Sequence, residues 1–139
     1  MDKNSLFWKI VDGHEPGPPC AKTLGLKILE VDGKRGTIVV QFDAKPEFLN
    51  PAGYVQGGFL AAMLDDTMGP ALVATLDAGE FSPTLNLNVQ FHRPARQGLL
   101  KGTGRVVTRG KELCQLSGEL SQDDKIVATA TATAIIRKM

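Results

Sequence analysis

Between Glu47 and Asp77 the chain carries only two charged residues, Asp65 and Asp66, both set among small and apolar neighbours. A carboxylate taken out of water without a partner is costly, and Asp is a poor residue for a helix interior. Residues kept there against that cost are candidates for chemistry on a ligand. Ahead of them stands Gln56-Gly57-Gly58, where helix-compatible sequence begins. Free amides at a helix N-terminus donate to a developing oxyanion, and the helix dipole favours negative charge there. Two glycines also let a ligand approach the backbone closely. A plain loop-to-helix turn would use the same residues.

Helical geometry separates the two carboxylates. Asp65 shares its side of the helix with Ala61, Ala62, Gly69 and Leu76, a strip of small residues suited to close approach of another chain. Asp66 points about 100° away, near Phe59 and Val73, and is expected to be satisfied by a hydrogen bond or by solvent. Gly57 and Asp65 are separated by about 12 Å of helix rise. An Asp side chain cannot span that distance to act on a carbonyl carbon held at its own Gly57 amide. If both serve one reaction, they come from different subunits across a two-fold axis, which creates two equivalent composite sites.

The elements that must position these residues can be read along the chain. Leu6, Phe7, Ile10 and Val11 indicate a small N-terminal helix, and Glu15-Pro-Gly-Pro-Pro-Cys20 cannot continue it. Residues 1–22 therefore form a helix and a Pro-rich lead-in to a single domain spanning 1–139. Leu24 to Val31 and Arg35 to Phe42, joined around Asp32-Gly33, suggest an antiparallel hairpin. Residues 44–58 form a structured loop. Phe59 to Leu76 is rich in Ala, Leu and Met and predicts a helix buried on most faces, with a kink or early break at Gly69-Pro70. Strict alternation over Thr84–Phe91 predicts a strand half-buried against a core. Leu99–Val107, Leu113–Leu120 and Ile126–Ile136 then complete a four-stranded meander. An antiparallel sheet wrapping one central helix accommodates this order, an α+β architecture.

Bulk composition excludes several classes. The 139 residues suit one domain, with 42 % hydrophobic and 22 % charged residues in an ordinary globular balance. A net charge of +1 supplies no field for nucleic acid or anionic membrane. No signal peptide or membrane span is legible, and the isolated Cys20 and Cys114 are expected to be free thiols in a reducing cytoplasm. His14 and His92 are distant and no Cys cluster exists, so no metal site is expected.

Asn50-Pro-Ala-Gly53-Tyr-Val-Gln56-Gly57-Gly58, with Asp65 nine residues after Gln56, resembles the phenylacetic-acid-degradation (PaaI-like) type of acyl-CoA thioesterase in the hotdog superfamily. Phe91-His-Arg-Pro-Ala95 resembles that family's strand ending in an aromatic-x-x-Pro-Ala segment. The resemblance covers roughly residues 24–136. It implies the hotdog fold, Gly57 N–H polarising a thioester carbonyl, and Asp65 acting as nucleophile or general base. It also implies that Asn50 and residue 56 orient substrate or water, with Thr84 where the family often has a hydroxyl residue. The family's His is Gln56 here; Gln exchanges hydrogen bonds but cannot carry a proton as His does.

An acyl thioester further needs an apolar slot, for which Phe48, Leu49, Tyr54, Val55 and Phe59 are candidates beside Gly58. Arg93, Arg96, Lys101, Arg105 and Arg109 are candidates for the coenzyme A phosphates. Coenzyme A would be part of the substrate, so no cofactor is expected, and the assembly is expected to be a homodimer or a dimer of dimers. The alternative reading, favoured by Gln56, is a hotdog module that binds acyl-CoA without cleaving it. A hotdog hydratase fits less well, since the chain lacks the Asp/His pair such enzymes share.

Overall fold

Alternation sends one face of each strand towards a common centre, and a long apolar helix fills that centre. The computed structural model describes residues 1–139 and shows a six-stranded antiparallel sheet around one long helix, with a separate two-stranded pair. In chain order the elements are α1 (Leu6–Val11), α2 (Pro19–Leu24), β1 (Lys27–Asp32), β2 (Thr37–Ala44), α3 (Gly57–Val73), β3 (Glu80–Phe81), β4 (Thr84–Phe91), β5 (Gly98–Arg109), β6 (Leu113–Gln122), β7 (Lys125–Ile135) and β8 (Arg137–Lys138). A 3₁₀ turn, Pro46–Phe48, stiffens the loop before α3. No helix is long and apolar enough to cross a membrane.

The sheet order is β1-β2-β5-β6-β7-β4, which corrects the meander expected from sequence. Only β5, β6 and β7 form one. β5 inserts against β2, with Thr37 opposite Arg105 and Ala44 opposite Gly98. β4 instead pairs with β7, from Thr84 opposite Ala134 to Phe91 opposite Ala128, and becomes an edge strand. Alternation specifies which face a side chain takes but not which strand lies beside it. The β6–β7 turn is tight, with Asp123 and Asp124 both in the left-handed region that such two-residue turns require.

α3 lies close against the sheet because β5 is stripped of side chains beneath it. A Cβ on Gly102 would fall 2.7 Å from Thr67 Oγ1, and one on Gly104 would fall 3.0 Å from the Thr67 carbonyl oxygen. Thr67, buried in this contact, satisfies its hydroxyl by donating to Met63 O at 2.7 Å. Met63, Leu64, Met68 and Leu72 of α3 pack with Ile38, Val40 and Phe42 of β2 and Leu100, Leu116 and Leu120 in a core of 25 buried residues.

Three local expectations change. The Pro-rich lead-in forms α2, with Pro19 in the first turn where its missing N–H costs nothing, and Gly25 closes it at φ +66°. The first strand consequently starts at Lys27 rather than Leu24. α3 continues through Pro70 to Val73, because burial of Ala71 and Leu72 outweighs one lost helical hydrogen bond. It ends before Leu76, which therefore leaves the small-residue strip. The apolar face of β4 is covered only in part: Leu87 and Val89 are half-buried, whereas Leu85 and Phe91 are exposed.

Candidate active site

The N-terminus of α3 is shaped by Gln56. Its Oε1 accepts the Gly58 N–H at 2.8 Å, making Gln56 the helix N-cap. A Cβ at residue 58 would sit 2.7 Å from that oxygen, so glycine is what allows the cap to form. The approach to the helix is pinned by Val55 N–H donating to Ala95 O and Gln56 N–H donating to Phe48 O, each at 2.8 Å. Gly57 N–H has no partner within the chain, which leaves one polarised amide at the positive end of the helix. The Phe91 ring lies beside Gly57, 3.1 Å from where its Cβ would be.

Asn50 organises the loop ahead of this amide. Its Oδ1 accepts from Ala52 N–H at 3.0 Å and Tyr54 N–H at 3.1 Å, and Gly53 turns the chain at φ +85°. The Asn50 side-chain amide remains uncommitted. Tyr54 is exposed, while Phe59 is half-buried and stacks on Phe48 with centroids 4.2 Å apart. Phe48 and Val55 belong to the core. None of the five residues expected to form an acyl slot lines the cavity beside Asp65 within the same chain.

Thr84 Oγ1 donates to Asp65 Oδ1 at 3.0 Å, joining β4 to the middle of α3. A bulge between Thr84 and Asn86 breaks the alternation there and lets Thr84 face the helix. Asp65, Asp66, Thr84, Ala62, Cys20 and Phe7 lie around an open cavity of about 400 Å³. Asp66 departs from expectation: its Oδ2 is buried without a hydrogen-bond partner. Burial, and secondarily the neighbouring Asp65 charge, pushes the Asp66 carboxyl up to about 6. The structure therefore gathers Asp65, Thr84 and Asp66 in one place and Asn50, Gln56 and Gly57 in another, a helix half-length away.

The basic candidates are dispersed. Arg93 Nη1 donates to Ile126 O at 3.1 Å, Arg96 pairs with Asp123, and Arg109 donates to Thr75 Oγ1 at 2.9 Å beside Glu80. Lys101 is exposed, as is Arg105, and both carry no ion pair; they point away from α3 on the outer face of β5. His92 shares a hydrogen bond with Thr129. Cys20 and Cys114 are both free thiols, and no group of three or more His, Cys, Asp or Glu side chains converges as a metal site would. Phe91 beside Gly57 and Phe7 beside Asp65 are the site residues that sequence reasoning did not assign. The first had a signal, since alternation along β4 places Phe91 on the face carrying Leu87 and Val89.

An antiparallel sheet curled round one long central helix is the hotdog fold. Residues 52–129 match the family model described as thioesterase superfamily. A crystal structure of an inferred thioesterase from Ralstonia eutropha, described as phenylacetic acid degradation-related, is similar with TM-score 0.91 and 48 % identity, covering 94 % of this chain and 99 % of that one. An inferred esterase of Mycobacterium tuberculosis is 31 % identical over 116 residues, 79 % of this chain and 80 % of its own length. The PaaI protein of the E. coli phenylacetic acid degradation operon shares the fold at TM-score 0.81 and 24 % identity, with 96 % of this chain and 93 % of that one covered. The chain belongs to the thioesterase superfamily and is a PaaI-like thioester hydrolase.

Proposed function

We propose that the protein hydrolyses acyl-CoA thioesters in a site shared by two subunits, with Asp65 from one and Gly57 N–H from the other. The observation that carries this reading is the separation of the two halves: Thr84 holds Asp65 at mid-helix, while the unpaired Gly57 amide lies about 12 Å of helix rise away. β4 offers the means of joining them. It is an edge strand, and Leu85 and Phe91 are 58 % and 57 % exposed. Antiparallel pairing of two β4 strands about a two-fold centred on Asn88 sets Leu87 opposite Val89 of the partner subunit and brings the Thr84–Leu85 bulge opposite the partner subunit's Phe91. Thr84 bonds Asp65 and Phe91 lies beside Gly57, so that pairing brings each Asp65 to the partner subunit's α3 N-terminus.

In such a site the Gly57 amide stabilises the oxyanion formed at the thioester carbonyl. Asp65 either attacks that carbon, giving a mixed anhydride that water then cleaves, or takes a proton from water as it attacks. Coenzyme A leaves as thiolate in both routes. Gln56 spends its side-chain oxygen on Gly58, and its role is to hold the helix start rather than to transfer a proton. The same cap supports a second reading, a module that binds acyl-CoA without cleaving it. Thiol release from a series of acyl-CoAs, with binding measured alongside, decides between them. Hydrolysis abolished by Asp65→Asn with binding retained is expected; binding without release by the natural protein would favour the second reading.

A further inference from the structure

We propose that the apolar groove between the N-terminal lead-in and α3 holds the acyl chain of the thioester, so that residues 6–28 set its length preference. This rests on the thioester reading above and names the substrate class of that site. The groove has a volume of about 860 Å³, within the range of sites that enclose a whole small molecule. α1 contributes Leu6 and Ile10, β1 contributes Ile28, and α3 forms the opposite wall with Pro70 and Val73. Lys22 and Asp66 are its only ionisable residues.

Continuity with the reacting centre identifies the occupant. Phe7, Asp66, Pro70 and Val73 line both this groove and the cavity of Asp65 and Thr84. Asp66, Pro70 and Val73 follow one another on the same face of α3 over about 10 Å of rise, a path leading away from the carboxylate. An acyl carbonyl held at Asp65 therefore projects its chain along that face into the groove. Burial raises the Asp66 carboxyl to about 6, so the passage between the two spaces is freest of charge at mildly acid pH. Leu6, at 63 % exposure, is an apolar residue whose place on the groove rim is accounted for by an apolar occupant. A two-carbon acyl group would leave this space unfilled, and a medium or long alkyl or arylalkyl chain fits it.

The test uses S-alkyl coenzyme A thioethers, which cannot be hydrolysed, with alkyl groups from two to twelve carbons and calorimetry on the full chain. Affinity is expected to rise by up to about fourfold per methylene until the groove is full. Gly17 lines the groove with only Ala21 near, 3.8 Å from its would-be Cβ, so Gly17→Phe adds a ring there with little strain. The ratio of twelve-carbon to two-carbon affinity is expected to collapse in that variant, and to fall also in Ile10→Gln, which alters polarity without filling space. Equal affinity for all lengths, or ratios unchanged in both variants, would overturn the proposal. Length-dependent binding that both variants reduce supports it even if thiol release were absent, a result that would count against the hydrolytic reading alone.

Discussion

Asp65 and Asp66 are neighbours in sequence but meet different demands. Asp65 has a hydroxyl donor from β4 and an opening to solvent, whereas Asp66 has a buried oxygen with no partner. A carboxyl whose folded pKa is raised to about 6 favours folding below its unfolded value of 3.8, and that advantage is lost as pH rises through 6. Asp66→Asn is therefore expected to raise the Tm at pH 7.5 by a few degrees and to have little effect near pH 4, read by thermal unfolding at both values. At Asp65 the open question is covalent. A single turnover with a radiolabelled acyl group, quenched rapidly in acid, is expected to leave acyl label on the chain if Asp65 is the nucleophile, and none if it is a general base. Sequence made Asp65 legible, because a lone charged pair in an apolar helix stands out. Asp66 was misjudged, since angular position on an isolated helix does not show that α1 and the lead-in fold over that face.

α3 and β4 position everything the site uses. The helix was legible from its Ala, Leu and Met content, and Gln56-Gly57-Gly58 marked its start within a residue or two. Its passage through Pro70 was not, because local backbone preference is overridden by burial of Ala71 and Leu72. The position of β4 was equally hidden, for strand order depends on long-range pairing rather than on alternation. The closeness of α3 to the sheet depends on the bare backbone of β5. Gly102→Ala places a methyl 2.7 Å from Thr67 Oγ1 and 2.9 Å from Val40. Overpacking of this kind is expected to destabilise by about 1–3 kcal/mol, seen as a lower urea midpoint with unchanged slope. At the other end of α3, Gly57→Pro removes the unpaired amide while keeping a residue suited to the first helical turn. Gln56 already holds the extended backbone that precedes proline, and the exposed Phe91 ring needs to yield only slightly. The variant is expected to fold normally and to lose about 10²–10³ in kcat, as removal of one oxyanion donor does elsewhere.

For the whole molecule, the fold class was readable from the order of elements and the family from one short motif, whereas the proposed two-subunit site rests on geometry alone. Two observations converge on it: the two halves of the site are too far apart in one chain, and β4 leaves an edge whose self-pairing would bring them together. Mixing inactive Asp65→Asn and Gly57→Pro chains, with subunit exchange, tests this most directly. Half of the dimers formed would be mixed, and each would hold one intact site of two, so about a quarter of natural acyl-CoA hydrolysis is expected to return. If mixed dimers form and hydrolysis stays at the level of the separate variants, each chain holds its own site and the shared-site account is contradicted.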